Sequence, residues 1–300
     1  MGSSDASPAT THPLDQKGEQ AEQRQARAAL ASNGTPFCRL TMHRFFVPPS
    51  SIEDDTVTLS GSIAHQIRDV LRLQADDSVV VLDDSGWEFQ VRLTAVGQER
   101  VSGTVERKVL GQSEPRAKIT LYQSLLKSSK FEWILQKGTE LGVVEFAPMV
   151  SDRCVIGSVD DVSQHRLERW RRIILEAAEQ SHRARLPRLH APLLFPQACE
   201  RARHADLALL PWEEERIMKL RAMLAQPYRI PSRVQGKTVV IRRPFSIHVL
   251  IGPEGGFSSR EVDQARRYGI TPVSLGPRIL RAETAALATA AVILYQLEDM

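Results

Sequence analysis

Between residues 43 and 110, hydrophobic positions fall in short runs that alternate with polar positions, a pattern typical of β-strands. Asp83-Asp84-Ser85-Gly86 separates two of these runs and predicts a hairpin turn. A short helix is expected to interrupt the series at 64–71. Short strands in such close succession predict a small β-barrel. The predicted strands are 43–47, 56–59, 78–82, 87–96 and 101–109.

From residue 118 the pattern changes to hydrophobic strands that alternate with helices, which predicts a mostly parallel sheet covered on both faces. The predicted strands are 118–123, 143–150, 205–210, 247–251 and 271–275. Helices are predicted at 163–181, 213–225 and 283–297. Capping boxes and terminal glycines mark two further helices, Ser129-x-x-Glu132 with Gly142 and Ser258-x-x-Glu261 with Gly269.

The first 37 residues are rich in Ser, Ala, Gln and Thr and predict a disordered tail without a core. We therefore expect a tail at 1–37, a β-barrel domain at 38–112 and an α/β domain at 113–300. The tail lacks the apolar segment of a secretion signal, and the longest apolar run, 285–297, is too short to span a bilayer. Cys38, Cys154 and Cys199 match no disulfide or metal-ligand spacing. We expect a cytoplasmic protein without membrane or metal partners.

Charge is unevenly distributed along the chain. The formal net charge is only +3, but residues 165–188 contain seven arginines and three glutamates, a local net charge of +4. Such a basic patch on a nearly neutral protein favours a polyanionic partner at one face. Taken alone, the same pattern more often belongs to a solvated helix face with intrahelical ion pairs.

Two glycine-rich stretches, LIGPEGGFS at 250–258 and SLGPRILRAETAA at 274–286, each follow a predicted strand and precede a predicted helix. Carboxyl ends of neighbouring parallel strands meet at one sheet edge, so both loops are expected to form a ligand site there. The chain has no G-x-x-x-x-G-K-[ST] motif and no two glycines two residues apart, which disfavours P-loop and dinucleotide-binding proteins. Glu254 would repel a phosphate and suits a cationic or hydroxyl-bearing ligand better.

These loops resemble the signature of SPOUT-class RNA methyltransferases, and of the RsmE family in particular. The resemblance covers 42–300 in order, except for a basic loop at 226–245. Other similar segments are HRFFV (43–47), HQIRDVLRL (65–73), KSSKFEWILQKGTELGV (127–143), Arg169-Trp170 and EAAEQSHRARLP (176–187).

The resemblance implies a PUA-like β-barrel followed by a SPOUT α/β domain with a trefoil knot. It also implies methylation of N3 of a specific uridine in 16S ribosomal RNA of the small subunit, with S-adenosylmethionine as methyl donor. A homodimer is implied, and the alanine-rich final helix fits burial in its interface. The cofactor-binding residues it implies are Leu210, Ile251, Gly252, Pro253, Glu254, Gly255, Gly256, Leu275, Gly276, Ile279, Leu280 and Ala285.

Methylation at uridine N3 requires loss of the imide proton. The site then needs a base, a cation for charge that spreads onto O2 or O4, and a positioned methyl group. Arg281 is the candidate cation, and a phosphate contact or a pair with Glu283 are equally weighted alternatives. Glu283 and Glu254 are candidate bases, although the helix dipole also favours Glu283 at its position and weakens it as a base.

Basic side chains outside the two loops are candidates for RNA contacts. Lys130 and Lys137 share one face of a predicted helix, a spacing suited to following a phosphate backbone. Without the resemblance, a solvated face would be favoured. The full set is Arg44, His65, Arg68, Arg72, Lys127, Lys130, Lys137, Arg153 and Arg183.

Two other functions stay open from the sequence. The same fold could serve a non-catalytic RNA-binding or ribosome-assembly protein, but the intact glycine loops and Arg281 argue against it. A nucleotide-phosphate enzyme could use the glycine turn, but the missing phosphate-loop lysine and the carboxylate of Glu254 disfavour that class.

Overall fold

The computed structural model describes residues 42–155, 158–225 and 245–300, together with two short strands at 233–234 and 237–238. The tail at 1–37 and most of the basic loop at 226–245 lie outside these residues. None of the described helices is long and apolar enough to cross a membrane.

The first sheet is built from β1 (Arg44–Phe46), β2 (Ile52–Glu53), β3 (Thr56–Ser60), β4 (Ser78–Leu82), β5 (Trp87–Val96) and β6 (Arg100–Leu110). Its strand order is β1-β4-β5-β6-β3-β2, with β1 and β4 parallel and all other neighbours antiparallel. The five predicted strands are confirmed to within one residue at each end. The short strand β2 is an addition.

Local turn chemistry shapes this sheet. Asp84 and Gly86 have positive φ values, 64° and 94°, in the predicted hairpin turn between β4 and β5. The predicted helix at 64–71 is instead a short α-helix, α1 (Gly61–His65), followed by a π-helical turn at Gln66–Val70. Ala64 and Ile67 from this segment are buried in the core of the first sheet.

The second sheet contains β7 (Lys118–Ser124), β8 (Glu145–Val150), β9 (Arg188–Leu189), β10 (Leu193–Leu194), β11 (Leu207–Pro211), β14 (Ser246–Ile251) and β15 (Thr271–Val273). The strand order is β10-β8-β7-β14-β11-β15, with β9 beside β8, and all neighbours are parallel. The predicted parallel sheet is thus confirmed. β12 (Arg233–Val234) and β13 (Lys237–Thr238) form a separate antiparallel pair.

Helices cover both faces of the second sheet. They are α2 (Ser128–Leu141), α3 (Gln164–Gln180), α4 (Phe195–Ala202), α5 (Leu220–Leu224), α6 (Ser259–Arg267) and α7 (Ala282–Gln296), with short 3₁₀ turns at Pro49–Ser51 and Val159–Asp161. Because side chains alternate along a strand, Ile119 and Leu121 of β7 pack in a core with α2, α3 and α7. Tyr122 faces the opposite core, which includes residues of α4 and α6.

One helix prediction is wrong, and one helix begins without its predicted cap. The predicted Ser129 cap lies inside α2, which begins after Lys127 without a side-chain cap, although Gly142 ends it as expected with φ 105°. Of the predicted helix at 213–225, only α5 is helical. The carboxylate of Glu215 accepts hydrogen bonds from the backbone N–H groups of Ile217 and Met218 at 2.8 and 3.0 Å, and these bonds favour a turn over a helix.

A buried ion pair fixes the segment that joins the two sheets. Glu114 accepts from the guanidinium of Arg183 at 3.3 and 2.7 Å, and from the backbone N–H groups of Ala184 and Arg185 at 3.1 Å each. The Arg183 side chain is only 3% exposed. It also donates to the carbonyl oxygens of Thr139 and Val143. The linker before β7 is therefore tied to the end of α3.

Candidate functional site

A cavity of about 450 Å³ lies at the carboxyl edge of the parallel sheet. The loops that follow β11, β14 and β15 form most of its wall, and these three strands are direct neighbours in the sheet. Its lining comprises Lys130, Pro211, Trp212, Glu213, Arg216, Ile251, Gly252, Pro253, Glu254, Gly255, Gly256, Phe257, Ser274, Leu275, Gly276, Pro277, Arg278, Ile279, Leu280, Arg281, Ala282 and Ala285. The two glycine loops predicted to meet at one sheet edge therefore share one cavity.

The turn after β14 depends on backbone freedom at Gly256. Its N–H donates to the carbonyl oxygen of Pro253 at 3.0 Å, and its φ is +68°, in the left-handed region that favours glycine. The predicted capping box then starts α6, and its two hydrogen bonds are confirmed: Ser258 Oγ accepts from Glu261 N–H at 3.3 Å, and Glu261 accepts from Ser258 N–H at 2.9 Å. The turn is thus closed before the helix begins.

The segment after β8 forms hydrogen bonds with this glycine turn and with the start of α6. Arg153 donates to the carbonyl oxygen of Gly255 at 2.8 Å. Asp152 accepts from Ser258 Oγ at 2.8 Å, and its own backbone N–H donates to the buried carboxylate of Glu261 at 2.9 Å. The turn therefore has side-chain support on the side that faces β8.

Charged groups ring the cavity. Lys130 at the start of α2 pairs with Glu254 across 3.1 Å, and each side chain is about one third exposed. Arg216, Arg278 and Arg281 add positive charge, and Glu213 adds a second carboxylate. The site can therefore receive both an anionic chain and a ligand that carries cationic or hydroxyl groups.

The structure brings together nearly all residues predicted to bind a cofactor. Leu210 differs, because its side chain is fully buried in the core and does not line the cavity. Of the candidate catalytic residues, Arg281 and Glu254 line the cavity and Glu283 does not. One carboxylate oxygen of Glu283 is buried and accepts no hydrogen bond from the described residues.

Sequence reasoning missed Glu213 and Arg216. Both lie in the loop after β11, which the sequence pattern assigned to a helix, so neither was considered for the site. The usable signal was their place just after a buried strand, where loops of parallel sheets carry ligand contacts.

Comparison with known proteins shows which family this chain belongs to. The family described as RNA methyltransferase domain matches residues 112–294. Ribosomal RNA small subunit methyltransferase E of Synechocystis sp. is 38% identical over 260 residues, which are 86% of this chain and 78% of that relative. The protein of the same name from Bacillus subtilis is 33% identical, covering 86% of this chain and 98% of that relative. This chain belongs to the ribosomal RNA small subunit methyltransferase E family.

A solved structure from this family also has the same fold. The enzyme of Neisseria gonorrhoeae, bound to S-adenosyl methionine, superposes with a TM-score of 0.72 at 30% identity. The match covers 85% of this chain and 97% of the other. The α/β architecture of this methyltransferase is therefore that of its family.

Two of the proposed RNA contacts in this methyltransferase are disfavoured, because their guanidinium groups are largely buried and have internal partners. Arg44 pairs with Glu88 across 2.9 Å, and the two side chains are 7% and 9% exposed. Arg183 is engaged by Glu114 and two backbone carbonyl groups, as described above. Each guanidinium is therefore paired inside the protein, which disfavours a phosphate contact.

The other proposed RNA contacts remain predictions. Lys127 and Arg72 are exposed. Several others already have acidic neighbours on the surface: His65 and Arg68 pair with Asp69, and Lys137 pairs with Glu140 at 2.7 Å. Exposed pairs of this kind are weak and exchange readily for phosphate.

Proposed function

We propose that this chain methylates N3 of a specific uridine in 16S ribosomal RNA of the small subunit, with S-adenosylmethionine as methyl donor. The convergence of the three loops after β11, β14 and β15 into one cavity carries this proposal. Family membership supports it, since its relatives are named as small-subunit ribosomal RNA methyltransferases.

The cavity residues fit such a donor. The side chains of Ile251, Leu275 and Leu280 provide an apolar surface for the purine of the donor. Two carboxylates also line the cavity, where they can interact with the hydroxyl and cationic groups of the donor. The glycine turn lets the backbone approach the ligand closely. When bound, S-adenosylmethionine supplies an electrophilic methyl group whose bond to the positively charged sulfur breaks as the bond from N3 forms.

The protein's own groups prepare the uridine. A base takes the N3 proton, and the negative charge spreads onto the carbonyl oxygens O2 and O4. We assign stabilisation of this charge to Arg281, which lines the cavity just before α7. Glu254 lines the same cavity, which favours it over Glu283 as the base, and Lys130 holds its carboxylate in place in the absence of RNA.

The fold assignments that go with this function are also proposals. We propose that residues 38–112 form a PUA-like RNA-binding barrel and that 113–300 form a SPOUT domain with a trefoil knot. Adjacent loops after three neighbouring parallel strands are compatible with the knot. We further propose a cytoplasmic homodimer. The exposed side chains of Val292 and Tyr295 on α7 support a second copy packing there.

Mapping the modified nucleotide tests the function directly. The protein, S-adenosylmethionine and unmodified small subunits should yield one N3-methyluridine, detected as a reverse-transcription stop because the methyl group blocks the pairing edge. Free 16S ribosomal RNA in a parallel reaction identifies the preferred substrate. Methylation at another base atom, or none on either substrate, would overturn the proposal.

Gly256→Ala should weaken binding of S-adenosylmethionine by roughly tenfold, because the added methyl group displaces a carboxylate that lies against the glycine turn. That carboxylate belongs to Glu213, whose Oε1 is the atom nearest to the added carbon. Backbone strain at the positive φ of position 256 lowers stability and is present with or without the ligand. Gly269→Ala is the control: its φ is +79°, but no atom lies within 4 Å of the added carbon. Both variants should melt earlier in thermal unfolding. Only Gly256→Ala should lose affinity in calorimetry, and an unchanged affinity in that variant would show that the turn does not contact the donor.

Lys130→Gln should weaken binding to small subunits and reduce the slope of log affinity against log salt by about one, because one phosphate contact is lost. Lys130 is poised for such a contact at the cavity mouth. The same salt titration with Lys137→Gln shows whether phosphate contacts continue along α2. An unchanged slope for Lys130→Gln would remove this lysine from the RNA-binding set.

A further inference from the structure

The carboxylate of Glu213 is placed between the loops of the cavity. Glu213 follows the end of β11, whose neighbours β14 and β15 bear the other two loops. Its position is fixed by the backbone: the N–H of Trp212 donates to Val273 of β15 at 3.0 Å, and Glu215 N–H donates to Trp212 at 3.2 Å. The backbone that carries the Glu213 side chain is therefore held in place by hydrogen bonds on both sides.

Both oxygens of this carboxylate lie against the glycine turn. A side chain at position 256 would place its first carbon in steric overlap with Glu213 Oε1 and 3.1 Å from Oε2. Only glycine leaves that space free. The absence of a side chain at Gly256 thus lets a carboxylate from the neighbouring loop approach the turn.

Glu213 has no partner among the described residues, whereas nearby carboxylates are engaged. Glu254, the other acidic group of the cavity wall, pairs with Lys130 at 3.1 Å. Glu215 accepts from two backbone N–H groups and lies 3.7 Å from Arg266. Within the described cavity wall, Glu213 is therefore the carboxylate that no other described side chain engages.

We infer that Glu213 accepts hydrogen bonds from the ribose hydroxyl groups of the methyl donor. In nucleotide-binding α/β folds, an acidic residue after a neighbouring strand commonly takes this role beside a glycine turn. The ribose is a neutral diol, so a carboxylate can bind it through two donor groups without neutralising the sulfonium needed for transfer. This inference rests on the proposed function, because it assumes that the cavity binds S-adenosylmethionine.

Calorimetry with the full chain and two nucleosides tests the assignment. 5′-Methylthioadenosine retains the ribose and lacks the amino-acid part, so Glu213→Gln should weaken binding of it and of S-adenosylmethionine by the same factor. That factor should be roughly ten to a hundred, as for hydrogen bonds to a charged group. Glu214→Gln is the matched control, because Glu214 is exposed and does not line the cavity.

Deoxy analogues isolate the hydroxyl contact. The 2′-deoxy and 3′-deoxy forms of methylthioadenosine should bind wild type more weakly, and at least one should show little further loss in Glu213→Gln, as expected for two groups that interact. Loss confined to S-adenosylmethionine would assign Glu213 to the ammonium group and overturn the ribose contact. Equal affinities in wild type and variant would also overturn it. If wild type bound neither nucleoside, the proposed function itself would fail.

Discussion

Arg281→Ala should lower the single-turnover methylation rate on small subunits by about a hundredfold or more, with both substrates saturating. The expectation follows from its proposed role, since a group that stabilises charge developing in the reaction contributes to the transition state more than to binding. Affinities for RNA and for S-adenosylmethionine should change little. Rapid-quench assays with labelled methyl donor give the rate, and filter binding gives the RNA affinity.

Arg267→Ala is the matched control for this experiment. Arg267 lies in the last turn of α6, donates to the carbonyl oxygen of Asp263, and does not line the cavity. It should react at the wild-type rate. If Arg281→Ala instead lost RNA affinity and kept the saturated rate, Arg281 would be a phosphate anchor, and its catalytic role would be withdrawn.

Glu114→Ala should lower the free energy of unfolding by about 3–5 kcal/mol, because it leaves the buried charge of Arg183 without its counter-ion. Two backbone N–H groups would also lose their acceptor. Denaturant unfolding followed by circular dichroism gives the free energy. Since Glu114 lies in the linker before β7, its replacement should destabilise the connection between the two sheets.

Glu140→Ala is the comparison for that loss. It breaks the ion pair with Lys137, whose side chains are 38% and 28% exposed, so a change of less than about 1 kcal/mol is expected. A double replacement, Glu114→Leu with Arg183→Met, should be less damaging than Glu114→Ala, because it removes both charges. Similar small effects for Glu114→Ala and Glu140→Ala would show that the buried pair adds little to stability.

One error in the sequence predictions arose where a side chain hydrogen-bonds to the backbone and so prevents the predicted helix. The helical pattern at 213–225 is overridden by the carboxylate of Glu215, which binds two backbone N–H groups and holds a turn. The Ser129 cap was equally plausible from sequence, but the N-cap position of α2 is Lys127, two residues earlier, and no side chain caps the helix there. The strands β9 and β10 were not predicted, because two-residue strands carry too little periodicity to be recognised. The short helix α4 was also missed.

The burial and pairing of charged side chains were the features that the sequence predicted least well. The arginines at 44 and 183 look like any basic surface residue, and their partners are Glu88 and Glu114, far away along the chain. Whether such an ion pair is buried is known only once both partners have been placed in the folded structure. The same holds for Lys130 and Glu254, which come from different halves of the α/β region.

By itself, the sequence determined the features that depend on neighbouring residues. These are the strand and helix alternation, the capping box at Ser258, the glycine stop at Gly269, and the two glycine loops whose motifs identify the family. Only the tertiary structure decided which charges are buried and that Glu213 meets Gly256 at the cavity wall. The physical reason is that capping and turn formation are local, whereas burial and side-chain pairing depend on strand order. That order places β11 between β14 and β15.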